Sequence, residues 1–344
     1  MDNLTHTLFA LTLANTGLRR FGRGVTSTLV LASSVPDLEF VTGLTGGRVA
    51  YLSAHRGPTH GPLGLGLGAA MAACVYLARR LRRPREDDAP FPALVIAGLA
   101  GVIGHVAMDF ATSYGTRVLS PFSKVWYGVD WLPIVDPWLL LVLAAGLVAA
   151  WFRPALARRF AVVTLVVMAV HYGLRASAHE MALRQAEARE AAIGVSAAAP
   201  RNTRVFAYLD RGQPARLPAA LPTVASPFRW RLITRTADGF EVAEIDLRNP
   251  DRVRGQTLRF PNHDGALVAE ASAAPTARAF LGFSRFPAVE VVPHRNGDVT
   301  VHWYDMRFGQ AAPEGDFRTA ISPFGAWVRL TSDGRLLGHG LGPG

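Results

Sequence analysis

The chain has 344 residues, half of them hydrophobic and 18% charged, which is long enough for two domains and more apolar than is usual for a soluble protein. A single cysteine, Cys74, excludes an intrachain disulfide and a thiolate metal cluster. The net charge of +10 raises nucleic acid as a partner, but no zinc-finger, RNP-type or helix-turn-helix pattern stands beside the arginines, so nucleic acid binding is not expected.

The apolar residues concentrate before residue 176, in runs of roughly 15 to 20 that suit a bilayer. Residues 1–18 read as a mostly apolar helix with Asp2 and His6 on one face near its start. From Leu4 that helix reaches only ~22 Å, short of a hydrocarbon core of ~30 Å. It has no basic residue before its apolar run, so no removable signal peptide is expected. Arg19, Arg20 and Arg23 follow, then a second apolar run, 25–35, which ends at Pro36-Asp37-Leu38-Glu39. Two carboxylates two residues apart in a non-helical end can converge on a cation, although a solvated cap is the blander reading.

The segment His55-Arg56-Gly57-Pro58-Thr59-His60-Gly61-Pro62 is a polar knot at the mouth of the next apolar run, 63–78. Imidazoles are common metal ligands near neutral pH, because they coordinate without first losing a proton from a cation. The run ends in the five arginines of residues 79–85. Residues 92–110 form another apolar helix until its last turns, where His105 and Asp109 stand four apart and face the same way. Together they can bind one ion, or the carboxylate can orient the imidazole. Ionisable groups in a span are costly unless paired or ligating, which makes this pair a functional candidate. Thr112, Tyr114, Gly115 and Thr116 make a polar turn directly after it.

Asp130 and Asp136 precede a strong span over 137–152, which runs into Arg153, Arg158 and Arg159. A further span, 160–176, contains His171, read as a core histidine, and leads into a charged helical stretch over 179–190. From Arg204 the pattern becomes alternating. Runs at 228–236 and 240–247, 289–294 and 299–304, and 326–331 and 335–337 flank Asp238-Gly239, Asn296-Gly297 and Asp333-Gly334, which are hairpin signals. No internal repeat, glycine-rich phosphate loop or serine nucleophile elbow is present. The expected class is α+β: an all-helical integral membrane domain over 1–176, a helical linker over 177–203, and a soluble antiparallel β-rich domain over 204–344.

Arginine clusters mark the cytoplasmic ends of spans. With alternating crossings, Asp2 and His6, Asp37 and Glu39, His55 and His60, His105 and Asp109, and Asp130 and Asp136 all fall toward the opposite face, where they can converge on a metal. The β domain then lies outside the cytoplasm.

These residues carry a resemblance. Met1-Asp2 with Thr5-His6, the Asp37-Leu38-Glu39 turn, His55-Arg56-Gly57-Pro58-Thr59-His60, and Gly104-His105 with Asp109, Thr112 and Gly115-Thr116 resemble the YdjM-type family of membrane-bound metal-dependent hydrolases, described as LexA-binding and inner-membrane associated. The segment 225–230, Ala-Ser-Pro-Phe-Arg-Trp, is similar to the start of the extracytoplasmic part of longer members. The family's turn is Asp-x-Asp, so Glu39 departs from it. More distantly, the order of His and Asp residues is similar to the zinc-dependent phospholipase C and S1/P1 nuclease group. That pattern implies His6, Asp37, His60, His105 and Asp109 as ligands of one or two ions. The group's later His-x-x-x-Glu pair is missing, since Arg175 follows His171 at that spacing.

The resulting expectation is a multi-pass protein of the bacterial inner membrane that hydrolyses a phosphoester or lipid-linked ester at the extracytoplasmic membrane face. The metal ligands would be drawn from His6, Asp37, His55, His60, His105 and Asp109, and the ion would be divalent, zinc by its ligands. Asp37 or Asp109 would act as base or bridge, and Arg56 would hold a phosphate oxygen. One alternative is a non-enzymatic membrane interaction protein with a structural metal. Another is an ion or proton transporter, against which the clustering at one face argues.

Overall fold

A computed structural model describes residues 1–82, 84–193, 206–208, 217–309 and 324–342. Arg83 of the basic run, most of the second half of the expected linker, and Arg204, where alternation begins, lie outside the described residues. The architecture is α+β: a helical N-terminal half, then two antiparallel sheets. The chain divides into two compact units, one of Met1–Glu39 and Arg56–Ser177, the other of Phe40–His55 and Ala178–Gly344. The grouping of Phe40–His55 with the second unit has no counterpart in the division expected from the sequence.

The first unit holds helices α1 (Asn3–Asn15), α2 (Val25–Ser34), α4 (Pro62–Arg82), α5 (Phe91–Phe110), α6 (Pro137–Phe152) and the start of α7 (Ala157–Ala192). Among the described residues, three stretches are long and apolar enough to cross a membrane: Pro62–Arg82, Phe91–Phe110 and Pro154–Ala192, the last being α7 with the turn before it. The apolar helix Pro137–Phe152 is shorter. At ~1.5 Å per residue the 36 residues of α7 reach ~54 Å, well beyond a ~30 Å hydrocarbon core. The expected span over 160–176 and the charged stretch over 179–190 are therefore one helix, because no Gly or Pro interrupts the join.

Small residues let these helices approach closely, as membrane helices do when water supplies no hydrophobic drive between them. A Cβ on Gly98 of α5 would lie 2.4 Å from the Gly68 carbonyl of α4, and one on Gly101 would lie 2.7 Å from the Leu29 carbonyl of α2. Ala10, Ala14, Leu29, Ala72, Leu94 and Ala97 fill the core where these helices meet. Asp136 starts α6 by accepting from the Trp138 and Leu139 amides at 3.0 Å each, with Pro137 next, a combination that suits a helix N-terminus.

In the second unit, helix α3 (Phe40–Ala54) is broken by Gly47 at φ 70 and ψ −169, and the sequence reading assigned it no element. Its glycines and threonines weaken any helical signal. One sheet runs in chain order through Ala219–Pro222, Arg229–Arg235, Gly239–Asp246 and Asn249–Pro261. The other has the order Leu336–Leu341, Gly325–Leu330, Val299–Asp305, Pro287–Pro293. All three expected hairpins form, with Arg235 opposite Phe240, Pro293 opposite Val299 and Leu330 opposite Leu336. Gly297 and Gly334 take positive φ there, 85 and 90. Gly239 serves a different need, because a Cβ at that position would lie 2.1 Å from the Phe260 carbonyl of the next strand. Helices α8 (Ala266–Ser272) and α9 (Pro275–Phe283) cover Val301, Trp303 and Val328 of the second sheet. Trp230 and Ile245 of the first pack with Ala182 and Ala186 of α7.

Candidate metal centre

Three chain breaks bring the site together in the first unit. His6 lies in the first turns of α1, whose N-cap Asp2 accepts from the Thr5 amide at 3.0 Å, so Asp2 is committed to the helix start. Asp37 and Glu39 lie in a 3-10 turn, Pro36–Glu39, that opens where Pro36 cannot continue α2. His60 closes a second such turn, Pro58–His60, and α4 then starts at Pro62. A Cβ on Gly61 would meet the Ser120 carbonyl at 2.1 Å, so the chain can turn there only as glycine. His105 and Asp109 come from the last turns of α5.

His60 Nε2 lies 3.3 Å from His105 Nε2 and 3.2 Å from Asp109 Oδ2, and His105 Nε2 lies 3.4 Å from the same oxygen. A tetrahedral ion with bonds of ~2.0–2.1 Å sets its ligand atoms about 3.3 Å apart, so this triangle fits a metal as it stands. Asp37 Oδ1 stands 3.8 Å from His60 Nε2 and 3.7 Å from His105 Nε2. Among the described residues, those able to hold an ion form two groups, Asp37, His60 and His105, and His6, His105 and Asp109. His105 Nδ1 lies 2.6 Å from the Ser33 carbonyl, which can only accept, so the proton is on Nδ1 and Nε2 is the ring's one lone pair. His105 can therefore ligate one ion at a time, and it is the residue common to both groups.

Charge and burial fit a cation too. His6, His60, His105 and Asp109 are at most 2% exposed, while the Asp37 side chain, at 25%, is on the open side. The buried His6 ring stacks 3.6 Å from the His105 ring, and its Nε2 lies 3.5 Å from Asp109 Oδ1 without a well-formed hydrogen bond, which is costly unless something else satisfies it. Burial pushes the Asp37 carboxyl up to about 6, against the pull of the Met1 amino group and Arg56.

Arg56 and Glu39 brace this set. Arg56 Nη2 donates to Asp109 Oδ1 at 2.9 Å, and Nη1 donates to the Gly115 carbonyl at 2.7 Å and to Thr112 Oγ1 at 3.2 Å. The Met1 amino group also contacts Asp109 Oδ1. Arg56 has φ 48, an unusual backbone for a side chain of its size. It is held there by its amide, which donates to Glu39 Oε1 at 2.8 Å, and by its carbonyl, which accepts from the Arg117 amide at 3.1 Å. Glu39 Oε2 accepts from Thr59 Oγ1 at 3.2 Å and lies 3.4 Å from His60 Nδ1, on the far side of the ring from the ligand triangle. Glu39 thus supports His60 from behind.

Other expected residues lie elsewhere. His55 is in neither metal group, and its ring packs against Tyr51 and Phe283 in the second unit, at centroid distances of 5.2 and 5.8 Å. Asp136 caps α6 and its Oδ2 lies 3.1 Å from His171 Nε2, so the supposed core histidine is paired. Asp130 is buried at φ 58 and joins neither group. The part of the site that sequence reasoning missed is the Ser33 carbonyl, for which a backbone atom leaves no residue-type signal.

The chain is 32% identical over 121 residues to the uncharacterized protein YfhP of Bacillus subtilis (strain 168), a match that covers 35% of this chain and 34% of that protein. It thus spans about a third of that relative's length. No solved structure matches the chain. The more distant likeness to phospholipase C and the S1/P1 nucleases is not carried by these matches. The model of the family described as YdjM inner membrane protein matches residues 1–182, the stretch that contributes every ligand candidate above, and the chain belongs to that family.

Proposed function

We propose that the chain is a membrane-bound, metal-dependent hydrolase acting on a phosphoester or lipid-linked ester at the extracytoplasmic face of the inner membrane. The observation that carries this is the triangle of His60 Nε2, His105 Nε2 and Asp109 Oδ2, with Asp37 at its one exposed side. Three protein ligands and an open fourth position are the pattern of catalytic zinc, and imidazole with carboxylate suits that ion. A bound divalent ion supplies a water acidified toward a pKa of ~7. Asp37, whose Oδ1 is 3.8 Å from His60 Nε2 and 3.7 Å from His105 Nε2, would serve as the proton acceptor on the exposed side. Arg56 holds Asp109 in register and offsets its charge, and a phosphate oxygen beside Asp109 would be held through the same guanidinium.

The test is turnover of generic phosphoesters by metal-loaded protein. Asp37→Asn is expected to keep the ion and to lower the rate by about 100-fold or more. One observation favours a second reading: burial of all ligands but Asp37 also suits a closed structural ion in a non-enzymatic interaction protein. Loss of the ion in Asp37→Asn, with no metal-dependent turnover by the wild type, would decide for that reading.

The orientation follows from Arg19, Arg20 and Arg23, the arginines at 79–85, and those at 153–159, which lie in short connections and mark cytoplasmic ends in a multi-pass chain. The β-rich domain is then extracytoplasmic. A periplasm-dependent reporter fused to the C-terminus should be active, and a fusion active only in the cytoplasm would overturn the arrangement.

A further inference from the structure

A cavity of ≈310 Å³ lies at the other ends of α4 and α5, about 20 Å of helix from His105, going by the 14 residues from Phe91. Arg79, Arg80 and Arg85 line it with Tyr76 and Leu94. Arg80 sits over the Tyr76 ring, 5.3 Å from its centroid. Two acids, Glu86 and Asp88, also line it. Asp88 is already engaged: Oδ2 accepts from the Arg85 amide at 2.9 Å, and Oδ1 accepts from Arg79 Nη1 at 3.4 Å. Arg79 Nε, buried, has no hydrogen-bond partner. Helix α5 starts beside the cavity with no side-chain cap, so its positive end adds to the arginines.

The wall is built, because the Arg23 amide donates to the Asp87 carbonyl at 2.8 Å and the Ala89 amide to the Arg23 carbonyl at 3.0 Å. A Cβ on Gly22 would lie 2.6 Å from Ala89 backbone, so the chains meet there only through glycine. Both helices are candidate spans, which puts this end at the depth of headgroups, where an apolar Leu94 and a tyrosine beside guanidinium groups match the boundary between acyl chain and phosphate.

We propose that this cavity binds a phosphate group, that of an anionic phospholipid headgroup, at the membrane face opposite the metal centre. Full-length protein in nanodiscs, or purified with defined lipid, would be examined by native mass spectrometry with phosphatidylglycerol and with phosphatidylcholine. Retention of phosphatidylglycerol over phosphatidylcholine is expected, and Arg79→Gln/Arg80→Gln/Arg85→Gln should weaken it on the order of a hundredfold, at about fivefold per arginine. Arg20→Gln/Arg82→Gln, which removes charge at the same end outside the cavity, should retain the lipid. Equal retention of both lipids, or equal loss in the two variants, would overturn the proposal. Displacement of phosphatidylglycerol by millimolar inorganic phosphate would overturn the lipid source and leave a free-phosphate site.

Discussion

Replacing His105 by alanine is expected to take the bound divalent metal from about one ion per chain to nearly none. His105 is the residue common to both candidate ligand groups, and its Nε2 lies within 3.4 Å of both His60 Nε2 and Asp109 Oδ2. Without it the remaining triangle loses a corner, and Ser33 keeps no imidazole to aim. Glu39→Gln should differ in degree. It leaves every ligand in place and removes only the charge 3.4 Å behind His60 Nδ1, and groups of that kind typically tune metal affinity by about 10- to 100-fold. Elemental analysis of the purified variants, with titration of a chelator against the Glu39→Gln protein, separates the two. Wild-type metal content in His105→Ala would show that the cluster is not the binding site. Wild-type affinity in Glu39→Gln would remove Glu39 from it.

The second large effect is expected from adding one side chain where two helices pack. Gly64, Gly66 and Gly68 alternate in α4, yet only two of them touch anything: a Cβ on Gly64 would lie 2.0 Å from the Thr59 carbonyl, and one on Gly68 2.8 Å from Val102 Cγ2 and 3.0 Å from the Gly98 carbonyl. A Cβ on Gly66 would have nothing within 4 Å. Gly68→Leu therefore forces α4 away from α5. Overpacking of that kind costs about 1–3 kcal/mol, only partly offset by leucine's better helix propensity of about 1 kcal/mol over glycine. The turn carrying His60 is tied to α4 and His105 is part of α5, so metal binding should fall with stability. Gly66→Leu keeps the propensity gain without the clash and should be neutral or stabilising. The measurement is thermal unfolding in detergent, with Gly68→Leu expected about 5 °C below wild type at ~2–4 °C per kcal/mol. Equal melting of the two variants would remove the close contact as a source of stability.

Much of the architecture was legible in the sequence, for reasons that are local. Helix α6 occupies the predicted span, Pro137–Phe152, because an apolar run between a capping Asp136-Pro137 pair and Arg153 needs no distant partner to define it. The three hairpins form where Asn-Gly and Asp-Gly pairs interrupt alternation, because period and turn chemistry are short-range properties. His60, His105, Asp37 and Asp109 could likewise be named, since ionisable groups at the ends of apolar runs stand out by type. Which of them meet was a matter of three dimensions. His55 and His60 share one short polar segment, and only the backbone turn at Arg56 and the 3-10 turn after it send His60 to the centre and leave His55 against Tyr51 and Phe283. Asp136 and His171 are 35 residues apart and pair through packing of their helices, which no periodicity encodes. The same holds for Gly66 and Gly68, identical in type and two positions apart. A helix turns about 200° between them, so one faces a neighbouring backbone and the other open space, and tertiary packing alone decides which.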